Sequence, residues 1–156
     1  MKSLKILSLV MMLALAMTGC KDNKDDGGNN GPSISGFDAI ENEWKLVSVN
    51  GVPNDFHVYI SFDSGTFFLF QQVYTLDFLY YDGTYSVAND KLSGTYKDGT
   101  AWKCDYSGGV SKDGKTLTLK SEEQNPVTFV YEACVIPEEV KEEATATRAI
   151  NVVPFL

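Results

Sequence analysis

Side chains able to make or break bonds are few in this chain, and their spacing narrows what each can do. His57 is the only histidine in 156 residues, which excludes metal sites built on two or more histidines. On an alternating strand it falls on the solvent side. Nucleophilic catalysis needs a hydroxyl or thiol held beside a base, and neither a Gly-x-Ser-x-Gly elbow nor a Cys-His pair occurs. Asp82, Asp98 and Asp113 each precede a glycine. That is turn composition, which accounts for these acids ahead of a carboxylate pair acting on a glycosidic bond. The acidic stretch after Cys20 lacks EF-hand ligand spacing. The expectation is a protein with no catalytic residues, no metal and no cofactor.

Cys20 is the exception. Lys2 and Lys5 precede an apolar run from Ile6 to Met17, too short to span a bilayer as a helix and shaped like a secretory signal. The run ends in Met17-Thr18-Gly19-Cys20, which resembles the bacterial lipobox with Met17 at the position usually held by leucine. That resemblance implies cleavage after residue 19 and acylation of Cys20 by palmitate-type chains. Each buried methylene contributes about 0.8 kcal/mol, so two or three chains hold a protein at a membrane. The organisation expected is a signal at 1–19, a tether at 20–35, a folded domain at 36–144 and a tail at 145–156.

The tether, Lys21 to Gly31, is rich in Gly, Asn and Asp and cannot bury a core. Its acids Asp22, Asp25 and Asp26 resemble the signal that exports Bacteroidetes lipoproteins to the cell surface, which implies an outer-membrane, surface-displayed protein; a solvated linker on a periplasm-facing anchor is the alternative. Without Lys2 and Lys5 the chain carries 11 basic against 21 acidic residues, a net charge of -10. No basic stripe is present to displace counterions from phosphates, which argues against nucleic acid as a partner. The membrane, through the anchor, is the partner this sequence implies.

The domain that must position any site reads as all-β. From Leu79 to Val135, apolar and aromatic stretches are interrupted by Asp82-Gly83, Asn89-Asp90, Asp98-Gly99, Asp113-Gly114 and Gln124-Asn125-Pro126, a hairpin meander. Upstream, Trp44 to Val49, Phe56 to Asp63 and Thr66 to Gln72 read as strands, with Phe56, Val58, Ile60 and Phe62 on one face. Val73 to Tyr81 fits strand or loop. Phe37, Ile40 and Trp44 lie at helical spacing, which predicts a short helical turn over one end. About eight antiparallel strands without crossover helices form a closed barrel or a two-sheet sandwich, and short sequential hairpins favour an up-and-down barrel. Pro137 to Ala144 predicts a short C-terminal helix with Ile136, Val140 and Ala144 facing the barrel. The tail from Thr145 ends in Ala149-Ile150-Asn151-Val152-Val153-Pro154-Phe155-Leu156, apolar enough to pair as an extra edge strand, with a frayed end as the alternative.

Several of these stretches together carry a resemblance. Tyr59-Ile60-Ser61-Phe62, Gly83-Thr84-Tyr85-Ser86-Val87, Gly94-Thr95-Tyr96-Lys97-Asp98-Gly99-Thr100-Ala101-Trp102 and Ile136-Pro137-Glu138-Glu139-Val140 resemble the lipocalin-like domain of Bacteroidetes lipoproteins over residues 40 to 141. The resemblance implies an eight-stranded lipocalin-like barrel and no enzymatic activity. It does not carry a ligand pocket with it, because the strand-one Gly-x-Trp of the wider lipocalins stands here as Asn42-Glu43-Trp44.

Cys104 and Cys134 are the remaining thiols. In a meander they fall at opposite ends of the sheet, roughly 20–30 Å apart at about 3.3 Å per residue, too far for a disulfide. Trp44, Phe62, Phe68, Phe70, Tyr85, Tyr96, Trp102 and Tyr106, if all inward, fill much of an eight-stranded interior. A ligand site then belongs at the open mouth, near Phe56, Tyr80, Tyr81 and Trp102. Two functions remain open at this point: a barrel binding a small, partly apolar molecule at its mouth, and a filled barrel that recruits a protein partner.

Overall fold

The computed structural model describes residues 36–144 and 152–156. The signal with Cys20, the tether to residue 35, and residues 145–151 lie outside the described residues. Among the described residues, nine strands and one helix follow in chain order: β1 (Glu43–Val49), β2 (Val52–Pro53), β3 (His57–Asp63), β4 (Thr66–Gln72), β5 (Leu79–Ala88), β6 (Lys91–Tyr96), β7 (Tyr106–Val110), β8 (Thr116–Ser121), β9 (Thr128–Ala133) and α1 (Glu138–Ala144). Eight strands run in sequence around a ring, β2 being a stub on β1, and β9 pairs back on β1 from Trp44↔Ala133 to Val49↔Phe129. The architecture is an antiparallel up-and-down eight-stranded barrel with a short C-terminal helix. Closure removes the alternative of a two-sheet sandwich.

Strand alternation sends Trp44, Leu46, Val58, Ile60, Phe62, Phe67, Leu69, Leu92, Leu117, Leu119 and Tyr131 into one buried interior. One end of the barrel, where β1 begins and β3 finishes, is closed by residues 36–42. Phe37 and Ile40 are buried there as a single turn rather than a helix. The Trp44 indole N–H donates to the Ile40 carbonyl at 2.9 Å, and the Val110 N–H to the Gly36 carbonyl at 2.7 Å.

A second cluster lies outside the barrel wall. Tyr59, Phe70 and Phe78 are covered by Ile136, Val140 and Ala144, with Phe68, Tyr80 and Cys134 at its margin. Phe68 and Phe70 therefore point outward, against the expectation that they fill the interior. β4 is apolar on both faces because each face has a separate core to serve. The Glu43 carboxylate anchors this layer: it accepts the Ile136 N–H at 2.6 Å and pairs with Lys141 at 3.0 Å.

Asp82-Gly83 is not a turn. β5 runs through it, and the β4–β5 connection is the glycine-free stretch 73–78. Gly83 is needed for space: a Cβ there would sit 2.1 Å from the Thr95 carbonyl oxygen and 2.8 Å from the Phe67 ring. Asn89-Asp90 is a two-residue hairpin turn, with Ala88 opposite Lys91 and φ of 53° and 59° at its centre. Such a turn favours glycine at its second position. Asp90→Gly relieves left-handed strain of about 1–2 kcal/mol against about 0.5–1 kcal/mol of added unfolded-state freedom. The expected result is a net gain of about 0.5–1 kcal/mol, read as a melting temperature raised by a few degrees.

Candidate functional site

The end opposite residues 36–42 is where the barrel is occupied. β1 finishes there at Val49, β3 begins at His57, β4 ends at Gln72 and β5 begins at Leu79. Along β4 the inward positions are Phe67, Leu69 and Gln71, so strand alternation places one primary amide in an apolar wall. Gln71 is 1% exposed, and a buried amide with no partner costs about 1–3 kcal/mol. Its partners come from the C-terminal segment. Gln71 Nε2 donates to the Val153 carbonyl at 3.2 Å, and Gln71 Oε1 accepts the Phe155 N–H at 2.7 Å.

Two tyrosines complete the hold. Tyr81 Oη donates to the Val152 carbonyl at 2.8 Å, and Tyr96 Oη to the Leu156 backbone oxygen at 2.8 Å. The Phe155 ring lies 5.9 Å from Phe56 and 5.3 Å, edge-on, from Phe129, and Leu156 is buried in the interior cluster. Residues 152–156 are thus neither an edge strand nor a frayed end. They fill the interior of the barrel at this end.

Of the four mouth residues expected from sequence, Phe56 and Tyr81 meet the tail. Tyr80 follows the opposite face of β5, stacked 6.2 Å from Phe68 in the outer cluster. Trp102 sits deeper, edge-on to Phe67 at 5.0 Å and Tyr106 at 6.0 Å. Its ring lies against Gly94, where a Cβ would come within 2.3 Å. Trp102, Gly94, Cys104 and Asp105 border a cleft of about 240 Å³ whose lining includes neither Gln71, Tyr81 and Tyr96 nor residues 152–156. Gln71, Tyr96 and Phe129 had no place in the expected quartet, although Gln71 was visible as the lone polar residue on the inward face of β4.

Ionisation in this interior is suppressed. Burial, above all, raises the Tyr96, Tyr106 and Tyr131 hydroxyls well beyond the ordinary tyrosine value, with neighbouring Tyr and Cys groups adding to it. Burial chiefly, then Glu43, raises the Cys134 thiol. Cys104 and Cys134 are both free, the first against the interior and the second in the outer cluster. Asp98 and Asp113 are turn acids: Asp98 accepts the Thr100 N–H and Asp113 the Ser111 hydroxyl, which hold both carboxyls below their usual range. Asp82, in β5, pairs with Lys97 at 3.3 Å. His57 is exposed, its ring 6.4 Å from Phe78. Among the described residues no three His, Cys, Asp or Glu side chains converge on a metal-sized site.

No family model and no curated protein matches the chain. A solved structure, that of apocrustacyanin C2, is similar at a TM-score of 0.42 and 13% identity, over 69% of this chain and 68% of that one. The barrel assignment rests on the strand pairings, which close the ring by themselves.

Proposed function

We propose that this chain is a non-enzymatic, lipid-anchored lipocalin-like lipoprotein, of the Bacteroidetes kind its motifs resemble, displayed on the outer membrane through Cys20. In this reading its barrel binds a small, partly apolar molecule at the end that residues 152–156 occupy. The observation that carries it is the lining of that end. Binding sites are mostly apolar with a few placed polar groups, and here Gln71, Tyr81 and Tyr96 direct their polar atoms at a segment of loop, among the rings of Phe56 and Phe129. Phe155 and Leu156 take the volume a ligand would fill. The test is a panel of fatty acids, bile acids and glycans, read by native mass spectrometry and thermal melting. The expected result is a one-to-one adduct and a raised melting temperature for at least one apolar member, with loss of hydrogen-exchange protection at the Phe155 amide. No adduct and no shift across the panel rejects it.

The accessory-module reading has one observation in its favour. Tyr74 and Leu76, on the β4–β5 connection bordering the same end, are 78% and 93% exposed. Capture of a protein partner from cell envelopes that is lost in Tyr74→Ser/Leu76→Ser, with no ligand adduct in either protein, supports that reading instead.

A further inference from the structure

All four hydrogen bonds that Gln71, Tyr81 and Tyr96 make to the tail go to main-chain atoms: the oxygens of Val152, Val153 and Leu156, and the Phe155 N–H. None reads a side chain. The Gln71 pair has a particular form. The carbonyl of one residue and the N–H two residues on lie on the same edge of an extended chain, and they are the two groups that a neighbouring parallel strand would engage through one residue. A single carboxamide does that work here. The residue between them, Pro154, has no N–H, so no donor at its centre is left unpaired. Side-chain selection is confined to two places: Phe155, between Phe56 and Phe129, and the buried Leu156. Val153 points outward, 74% exposed.

From this we infer that the occupied end is a peptide-binding site, reading an extended apolar segment by its main chain, with residues 152–156 as the resident occupant. The external ligand is an extended peptide carrying an aromatic-aliphatic pair after a proline, and it competes with the tail for Gln71, Tyr81 and Tyr96. This rests on the reading of that end as a ligand site and names the class of ligand. An ionised fatty-acid carboxylate has no donor for Gln71 Oε1 and satisfies only the Nε2 half of the carboxamide. Tethering gives the tail an effective concentration of about millimolar, so an external peptide binds well only when the tail is released.

The experiment uses the full chain, with a protease site placed within residues 145–150 and cut after folding. A labelled peptide of the sequence Asn151 to Leu156 is then offered to cut and uncut protein by fluorescence anisotropy, with a labelled fatty acid in parallel. The expected result is saturable uptake of the peptide by cut protein, at least 100-fold weaker uptake by uncut protein, and at least 10-fold weaker uptake by cut Gln71→Leu. Circular dichroism of each cut sample establishes that the barrel remains folded. A second variant, Phe155→Ala in uncut protein, weakens the tail without cleavage and is expected to raise peptide uptake at least 10-fold. Folded cut protein that takes fatty acid but not peptide, or peptide uptake indifferent to Gln71→Leu, overturns the peptide inference and leaves the ligand site standing. Uptake of neither probe by folded cut protein overturns both.

Discussion

Replacing Trp44 with alanine is expected to lower the free energy of unfolding by about 3–5 kcal/mol, the range for truncating a large core ring. The residue has no exposed surface, and it joins three parts of the fold. Its strand neighbours are Ile60 on β3 and Ala133 on β9, so it lies at the closure of the ring. Its indole N–H also holds the Ile40 carbonyl, which fixes the segment capping that end. A folded domain has about 5–15 kcal/mol in total, so the variant gives up a large share of its stability. Urea titration checks this as a lower midpoint with an unchanged slope. Trp44→Phe keeps most of the apolar contact but leaves the Ile40 carbonyl without its donor, and is expected to cost about 1–3 kcal/mol. A loss below about 1 kcal/mol in the alanine variant would show that the end cap and the closure do not depend on this ring.

Alkaline pH should unfold the barrel steeply. Tyr96, Tyr106 and Tyr131 are buried and hold their protons in the folded state far above the ordinary value of 10, whereas the unfolded chain releases them near 10. Above that pH the folded state binds more protons than the unfolded state, so stability falls as pH rises. Below about pH 9 their contribution is fully present. Between pH 10 and the raised folded values it is lost at roughly 1.4 kcal/mol per pH unit for each tyrosine, or roughly 4 kcal/mol per unit for the three. Urea titrations from pH 8 to 11.5 measure the slope. Tyr131→Phe is the internal control, because its hydroxyl has no hydrogen-bond partner among the described residues. It should cost little at neutral pH and remove about a third of the alkaline slope. A flat profile through pH 11 contradicts the burial of these hydroxyls.

The barrel was legible in the chain because hairpin turns are local chemistry. Asn50-Gly51, Ser64-Gly65 and Asn89-Asp90 each hold positive φ at both central residues, and side-chain type alone points to them. Asp82-Gly83 has the same composition for another reason. Gly83 makes room for the Thr95 carbonyl and the Phe67 ring, which belong to strands distant in sequence, and no window of a few residues contains that requirement. The two faces of β4 were ambiguous in the same way: Phe68 and Phe70 read as interior until α1 supplies a second layer for them.

The site was half legible. Phe56 and Tyr81 follow from their place near strand ends, but Tyr80 and Tyr81 cannot both face inward, and one residue of register decides between them. The position of the tail depends on Gln71, more than 80 residues earlier in the chain. The amide was a cue because an inward polar group demands a partner. Which partner arrives is a matter of tertiary structure.

Around the ring most neighbouring strands share a ladder of several residue pairs, but β6 and β7 meet only at Leu92↔Tyr106, with Thr95↔Ala101 bridging alongside. Mechanically the cylinder is a split washer. Its girth can grow at that gap by giving up very few main-chain bonds, while the other joints keep their register. Because Tyr96 and Trp102 flank the gap, a plug withdrawn from within would be felt first as slack on this side, and amide protection should fade there before anywhere else in the wall.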